Sequence, residues 1–319
     1  MQEPIFLKPY LEEKIWGGQK LRSQFNLDIP SDQTGEAWVI SGHEHGQSIV
    51  TSPESLAGLT LTDLYQAHPE LFLGQVADRF PLLIKIIDAK EDLSVQVHPD
   101  DEYGLAHEND LGKTECWYIM DADPGAYLIY GHNAKNKAQF LEMVEDNEWD
   151  QLLRKVPVHA GDFFAVPAGT IHAIGGGVLI LEVQQSSNTT YRVYDYGRKD
   201  ANGKERDLHI QQSADVTTFP HQDTLAEGHV TELPGGVIQE FWTNEYFTVA
   251  KWTVEDNLHI TLSDKYQLCT VLEGQGQISV GDKTWDVKAA DAFILPSDLS
   301  EITLTGQFSL MVAEEVTNG

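Results

Sequence analysis

Short apolar segments separated by turns run along most of the chain. The segments are four to six residues long, and Gly, Pro, Asn or Asp bounds most of them. This length and spacing are typical of β-strands in sandwiches and barrels. The strands predicted in this way cover residues 82–87, 93–97, 116–120, 127–130, 163–166, 178–183, 248–253, 269–272, 277–280 and 292–295. We therefore expect a mainly β fold of the jelly-roll or β-sandwich class.

Two regions break this pattern and predict helical insertions. The first covers about 56–72, where Thr60 is a plausible N-cap and Asp63 lies at the third helical position. The second covers about 135–155 and carries apolar residues at roughly helical spacing. Those residues are Phe140, Leu141, Val144 and Leu152.

A weak internal repeat predicts a second β unit. Residues 162–167 and 291–296 share Asp, Phe and Pro at a constant offset of 129 (291 − 162). His172 in the first copy corresponds to Glu301 in the second (172 + 129). The Gly-, Glu- and Pro-rich segment 226–236 is a candidate boundary. We therefore predict a first domain over 1–235 and a second, jelly-roll domain over 236–319, which we expect to bind no metal.

Composition excludes several classes of function. With 319 residues and 41% hydrophobic content, the chain can build a packed core. The net charge of −29 disfavours binding to nucleic acid and to anionic membranes. No apolar run is long enough for a spanning helix, and the N-terminus shows no secretory pattern. The two cysteines fit a reducing compartment, so we expect a cytoplasmic protein.

Four side chains form a candidate metal-ligand set. Gln96 and His98 are two residues apart in an alternating apolar segment, which places both on one face of a strand. Glu115 lies at the start of an apolar strand, and a metal ion there would offset the free-energy cost of burying its carboxylate. His172 follows Pro167-Ala168-Gly169. Two imidazoles, a carboxylate and an amide oxygen suit zinc, and one ion per chain is expected.

The motifs around these ligands resemble a known family. Residues 161–172 read Gly-x5-Pro-x-Gly-x2-His, which resembles the second signature of the cupin superfamily. Gln96-Val97-His98 stands where cupins carry His-x-His. Together with Gly112-Lys113-Thr114-Glu115, this departure resembles the type I-like mannose-6-phosphate isomerases, in particular their short Bacillus-type branch. The resemblance covers about residues 7–198, and beyond them only length and β character support it.

The resemblance implies roles for individual residues. Gln96, His98, Glu115 and His172 match the metal ligands, Ser94 and Lys113 match substrate-phosphate positions, and Arg192 matches an active-site arginine. Longer members carry an Asp four residues before that arginine, whereas this chain has Asn188. An amide cannot act as a general base. Glu182, Asp195 or a metal-bound water remain as alternatives for the general base. For Lys113, the alternative to binding phosphate is an ion pair with Asp110.

The implied activity is the metal-dependent interconversion of mannose 6-phosphate and fructose 6-phosphate. The proton would move between C1 and C2 through a cis-enediol, and we expect a monomer or weak homodimer. Two alternatives remain open. Two His and a carboxylate also serve non-haem iron oxygenases, although Gln96 would then fill a position that oxygen needs. A non-catalytic sugar-phosphate-binding cupin is the other alternative, but no basic DNA-binding segment accompanies it.

Overall fold

The protein is built mainly from antiparallel β-strands, which confirms the predicted fold class. A computed structural model describes residues 3–72, 74, 77–199, 203–226 and 228–316. The strands are β1 Ile5–Lys8, β2 Tyr10–Gly18, β3 Thr34–His43, β4 Gly46–Gln47, β5 Ile49–Ser52, β6 Leu82–Ala89, β7 Val95–Val97, β8 Glu115–Ala122, β9 Tyr127–His132, β10 Leu153–Pro157, β11 Phe163–Val166, β12 His172–Ile174, β13 Val178–Gln185, β14 Tyr191–Tyr194, β15 His229–Leu233, β16 Gly236–Thr243, β17 Phe247–Val254, β18 Asn257–Thr261, β19 Gln267–Val280, β20 Lys283–Lys288, β21 Ala292–Leu295 and β22 Glu301–Glu315. The helices are α1 Lys20–Phe25, α2 Leu61–Ala67, α3 Asp101–His107, α4 Lys137–Glu145, α5 Trp149–Leu152 and α6 Ile210–Val216.

The helices are shorter than the sequence pattern predicts. The predicted cap is confirmed, since the amide of Asp63 donates to Thr60 Oγ1 at 3.1 Å, but α2 stops before His68. His68 precedes a proline, and the proline ring disfavours helical dihedrals at the residue before it. Pro69 then begins a separate 3-10 helix. In the second insertion α4 and α5 are separated by Asn147, which has a φ of 57°. Helices in the described ranges are too short to cross a bilayer.

The chain divides into two compact units that are not consecutive in sequence. Unit 1 contains residues 1–11, 37–86 and 226–319, and unit 2 contains residues 12–36 and 87–225. This differs from the predicted linear division at 235/236. The reason is strand pairing within unit 1, where β1 lies between β21 and β5, with Ile5 opposite Ile294. Residues 227 and 317–319 of the predicted boundary and C-terminal domain lie outside the described residues.

Unit 1 contains a ten-stranded antiparallel sheet. Its strands follow the order β15-β16-β17-β22-β19-β21-β1-β5, while β18 and β20 pair with β22 and β19. The segments predicted as two strands at 269–272 and 277–280 are one long strand, β19, with a register shift between Val271 and Glu273. The core of unit 1 is apolar and includes Trp252, Leu258, Cys269, Phe293, Leu304 and Leu310.

Unit 2 places its functional strands around an apolar interior. One sheet has the order β10-β9-β12-β7-β14, and a second contains the neighbours β11, β8 and β13. Side chains from both sheets share one buried core, which includes Trp117, Ile119, Leu128, Ile174, Val178 and Ile180. The other face of the five-stranded sheet packs on α4 and α6 through Val95, Val97, Phe140, Ala173, Val193 and Ala214. The alternation of strand side chains therefore fixes which residues point into the interior.

Candidate metal and substrate site

Three predicted site residues lie side by side on neighbouring strands of unit 2. Gln96 on β7 is in register with His172 on β12 and with Arg192 on β14. Their sequence neighbours Val97 and Ala173 pack on the helix-covered face of the sheet. Since strand side chains alternate, Gln96, His172 and Arg192 point towards the interior.

The two histidines and the glutamate converge at one point. One ligand atom from each of His98, Glu115 and His172 lies within 4.8 Å of the others, and all three residues are buried. Nε2 of His98 is 3.5 Å from Glu115 Oε2, and Nε2 of His172 is 3.4 Å from Glu115 Oε1. The structure therefore brings together three of the four predicted ligands.

The outer nitrogen of each imidazole faces a backbone carbonyl. His98 Nδ1 is 2.9 Å from the Thr189 oxygen, and His172 Nδ1 is 2.8 Å from the Thr170 oxygen. A carbonyl only accepts, so each Nδ1 carries a proton, and in the neutral form of each ring Nε2 keeps its lone pair. Burial, followed by the charge of Lys113, lowers the pKa of His172 to about 3. His172 is therefore neutral at physiological pH, which is the state that binds metal.

Gln96 lies beside this cluster. Its Nε2 is 3.4 Å from His172 Nε2, and its Oε1 is 3.5 Å from Ser94 Oγ. A 180° rotation of the amide exchanges oxygen and nitrogen, which would turn the oxygen towards the imidazoles. Two neutral nitrogen lone pairs, a carboxylate and an amide oxygen are a chemically suitable donor set for zinc.

Lys113 lies among the same groups. Its ammonium donates to Glu115 Oε2, is 3.1 Å from His98 Nε2 and is 3.9 Å from Glu182 Oε1. Lys113 and Glu115 therefore face the same side, as the two-residue spacing predicts. The carboxylate of Asp110 accepts instead from a separate loop over residues 187–189.

Arg192 contacts the residue that precedes β7. Its Nε donates to Ser94 Oγ at 3.2 Å, and its NH1 donates to the Asp207 carbonyl at 3.0 Å. Burial, followed by repulsion from Arg206, lowers the pKa of Arg192, although a guanidinium remains protonated. The structure thus places a cation beside Ser94.

Arg192 belongs to a local group of cations in an otherwise acidic chain. Arg198 and Arg206 both donate to Asp195, whose side chain is almost completely buried. Both arginines also act electrostatically on Arg192. The carboxylates of Asp195 and Asp207 also act electrostatically on Arg192, so three guanidinium groups and two carboxylates lie in this region.

Glu182 is a buried carboxylate on the interior side of β13. It is in register with Trp117, and Trp117 Nε1 donates to Glu182 Oε1 at 3.1 Å. Trp117 also packs edge-on against His172, with 5.2 Å between the ring centroids. Glu182 therefore lies next to the ligand cluster, whereas Asn188 is exposed.

Comparisons with known proteins fit this geometry. A sequence model described as phosphomannose isomerase type I, catalytic domain, matches residues 5–148. A second, described as mannose-6-phosphate isomerase, cupin domain, matches residues 237–314. A curated mannose-6-phosphate isomerase of Streptococcus mutans is 46% identical over 313 residues, covering 98% of each chain. The chain belongs to the type I phosphomannose isomerase family.

Other relatives agree with this family assignment. Mannose-6-phosphate isomerase ManA of Bacillus subtilis is 46% identical over 315 residues, covering 98% of both sequences. The crystal structure of a mannose 6-phosphate isomerase from Bacillus subtilis is 44% identical, with a TM-score of 0.95 over 98% of this chain and 99% of that one. A mannose 6-phosphate isomerase structure described as bound with zinc and yttrium shares the fold at 16% identity, with a TM-score of 0.76 over 98% of this chain and 100% of that one.

Sequence patterns did not identify every residue that supports the site. Thr189 contributes only a backbone carbonyl, and Asp110 acts on a loop that is distant in sequence. Neither contribution has a residue-type signature, because any residue offers a carbonyl and an acidic residue in a loop is common. The strand spacing that revealed Gln96 and His98 is, by contrast, local.

Proposed function

We propose that the protein is a metal-dependent mannose-6-phosphate isomerase, which interconverts D-mannose 6-phosphate and D-fructose 6-phosphate. The observation that carries this proposal is the buried convergence of His98, Glu115 and His172 in a member of this family. The reaction moves a proton between C1 and C2 through a cis-enediol and involves no net oxidation. An aldose–ketose isomerase therefore needs a site that orients sugar oxygens, moves one proton and binds a distant phosphate.

The metal is zinc, one ion per chain, held by Gln96, His98, Glu115 and His172. The Nδ1 contacts of both histidines support this assignment, because they leave Nε2 available for coordination. Bound zinc would supply a Lewis acid that polarises sugar oxygens. The surrounding protein buries His98, Glu115 and His172 and therefore limits the access of water to these three ligands.

Ser94 and Lys113 are the proposed phosphate-binding residues, and Arg192 is the proposed catalytic residue. The guanidinium of Arg192 would stabilise negative charge that develops on the enediol oxygens. The contact between Arg192 and Ser94 supports a shared anion-binding region. The group of Arg192, Arg198 and Arg206 supports an anionic substrate, because it concentrates cations in a chain of net charge −29. Binding of a remote phosphate supplies energy for orienting the reacting carbons.

Among the side-chain alternatives for the base, the contacts favour Glu182. Asp195 accepts from Arg198 and Arg206, and although burial opposes them, these contacts hold the pKa of Asp195 below its usual range. A carboxylate stabilised in this way is a weak base. Glu182 Oε1 lies 3.9 Å from Lys113 Nζ. Trp117, which donates a hydrogen bond to Glu182, also packs against the ring of His172. We assign proton transfer to Glu182 within this proposal.

The proposal includes the remaining expectations from composition. The net charge of −29 argues against nucleic acid as a partner, and two buried free cysteines fit the reducing conditions of a cytoplasmic protein. We expect a monomer or weak homodimer. An iron oxygenase is disfavoured because it would give no role to Lys113 and Arg192, and a non-catalytic sugar-phosphate-binding protein would bind ligand without turnover.

A coupled assay tests the proposed function. The purified protein, loaded with zinc, is assayed with mannose 6-phosphate and with a panel of other hexose and pentose phosphates. We expect the highest kcat/KM for mannose 6-phosphate, and no oxygen uptake. The proposal fails if zinc-loaded protein binds the sugar phosphate without converting it, or if another sugar phosphate is strongly preferred.

A further inference from the structure

Asp110 joins two loops next to the metal-ligand cluster. It lies between α3 and β8, and its Oδ2 accepts from Ser187 Oγ at 2.9 Å and from Thr189 Oγ1 at 3.0 Å. The same oxygen accepts from the Asn188 amide at 3.2 Å, and Oδ1 accepts from the Leu111 amide at 2.9 Å. Four donors thus converge on one carboxylate, and three of them belong to residues 187–189. The Ser187 hydroxyl is shared between Asp110 and the Leu111 carbonyl, which is also 2.9 Å away.

The loop held by Asp110 carries the hydrogen-bond acceptor of His98. Ser187 is fully buried, and its Oγ also accepts from the Thr189 amide at 3.2 Å. Both the side chain and the amide of Thr189 are therefore restrained. These restraints limit the positions available to the Thr189 carbonyl, which lies 2.9 Å from His98 Nδ1.

His98 and His172 differ in how this contact is maintained. His172 bonds to the carbonyl of Thr170, two residues earlier, so the local turn sets its orientation. His98 bonds to a carbonyl 91 residues away in sequence. A contact between distant segments depends on whatever holds the second segment in place. For His98, the Asp110 carboxylate holds that second segment, residues 187–189. The contact between His172 and Thr170 is local and does not involve Asp110.

We propose that Asp110 is a positioning residue, which acts through Thr189 to hold His98 in the Nδ1-protonated tautomer with Nε2 directed at the metal position. This inference rests on the metal site of the proposed function. Partners of the outer nitrogen of a ligating histidine set its tautomer and orientation, and their loss typically weakens metal binding about 10–100-fold. Asp110 binds the side chain of Thr189, whose carbonyl is the partner of the outer nitrogen of His98.

The test compares zinc affinity in three variants with the wild type. Asp110→Asn keeps the side-chain shape, but turns an NH2 group towards either the Leu111 amide or the loop donors. Thr189→Val removes one hydroxyl contact and preserves the His98 carbonyl partner. Glu102→Gln, at an exposed position on α3, is the matched control for loss of one negative charge. Zinc affinity is measured by competition with a chromogenic chelator on protein whose folding is checked by circular dichroism.

We expect zinc affinity to fall about 10–100-fold in Asp110→Asn and about 3–10-fold in Thr189→Val. Glu102→Gln should stay within about twofold of the wild type, as expected for an exposed charge. In zinc-free protein, the ring 15N shifts should show a mixture of tautomers for His98 in Asp110→Asn, and no change for His172. A merely structural role would change thermal stability without this selective effect.

The proposal is overturned if folded Asp110→Asn keeps wild-type zinc affinity and a single His98 tautomer. If Asp110→Asn does not fold, Thr189→Val decides, and unchanged zinc affinity in that variant overturns the proposal. Failure of the wild type itself to bind zinc would refute the proposed function. That result is distinguishable, because it does not depend on any variant.

Discussion

Arg192 Nε donates a hydrogen bond of 3.2 Å to Ser94 Oγ, joining β14 to the residue that precedes β7. NH1 of the same guanidinium donates to the carbonyl of Asp207 at 3.0 Å. Both acceptors are neutral oxygens, so these bonds orient the guanidinium without neutralising its charge. The arrangement suits a cation that acts on negative charge in a bound substrate.

Replacement of Arg192 should reduce turnover more than substrate affinity. If the guanidinium stabilises the enediolate, its interaction strengthens as charge develops, and Arg192→Ala should lower kcat about 10²-fold or more. The KM for mannose 6-phosphate should change less. Arg192→Lys should restore activity only in part, because a point charge does not reproduce a planar guanidinium. Steady-state kinetics of both variants provide the measurement.

Arg22 offers a control for the loss of a positive charge. It is an exposed residue of α1 that pairs with Asp32, and Arg22→Ala should leave both constants close to wild type. A mutant of Arg192 with normal kcat and a greatly raised KM would contradict the catalytic role. Arg192 would then join Ser94 as a phosphate ligand.

Local sequence periodicity predicted that Gln96 and His98 lie on one face of a strand, and β7 ends at Val97, one residue before His98. The alternation around Gln96 and His98 reflects the two-residue period of a strand, which needs no knowledge of neighbouring strands. The segments 163–166 and 292–295 are strands with the predicted bounds. Helix ends were less predictable, because a left-handed residue such as Asn147 interrupts an otherwise suitable apolar pattern.

Long-range relationships could not be predicted from local patterns. The insertion of β1 between β21 and β5 depends on which strands pair, and strand pairing has no signature within one segment. The pairing of β1 with β21 and β5 explains why the compact units differ from the two consecutive domains predicted from the repeat. The contact of Thr189 with His98 belongs to the same class, since it joins residues that are 91 positions apart.

Lys113→Ala should mainly weaken recognition of the phosphorylated sugar. Loss of a charge-assisted contact of about 1.5–3 kcal/mol should raise KM more than tenfold. Because Lys113 also contacts Glu115, zinc content is measured on the same preparation. Retained zinc with a raised KM supports phosphate binding, and Lys283→Ala, which alters an exposed pair with Glu3, is the control.

Unchanged steady-state constants in Lys113→Ala would assign this lysine to support of the buried Glu115 carboxylate. A fall in zinc content with little change in KM would lead to the same conclusion. Both outcomes would leave Ser94 and the arginine group as the candidates for phosphate binding.

Removal of the metal should abolish activity, and zinc should restore it. His98→Ala or His172→Ala should lose most bound metal, because loss of one of four ligands leaves an open and weak site. His159→Ala, at an exposed position, provides the control. Metal content by elemental analysis and activity are measured together. Full activity in rigorously metal-free protein would refute the metal-dependent mechanism.

The same elemental analysis tests the expected ratio of one zinc per chain. In unit 1, Glu301 occupies the position that corresponds to His172, and its Oε2 lies 3.6 Å from His259 Nε2. Both side chains are exposed, and an exposed pair of this kind is a weak metal site. Two tightly bound ions per chain would contradict the prediction that residues 236–319 bind no metal.

Asp195→Asn should destabilise unit 2 in a pH-dependent manner. Burial raises the pKa of the Asp195 carboxyl, but hydrogen bonds from Arg206 and Arg198 outweigh it and lower that pKa below its ordinary value. The carboxyl of an unfolded chain titrates near about 3.9. Since the folded pKa is the lower one, the stabilisation is fully present above the unfolded pKa and is lost as pH falls through the folded pKa.

At pH 7 we therefore expect Asp195→Asn to reduce the free energy of unfolding by about 1.5–3 kcal/mol, the range for hydrogen bonds to charged groups. The difference from wild type should stay constant down to about pH 5 and shrink below about pH 4, because protonation removes the same charge from the wild-type protein. Urea unfolding at a series of pH values provides the measurement. Asp32→Asn, which breaks the exposed pair with Arg22, should cost at most about 1 kcal/mol. A difference that grows towards acid pH would show that Asp195 is protonated more readily in the folded protein, and the two arginines would then not be its dominant partners.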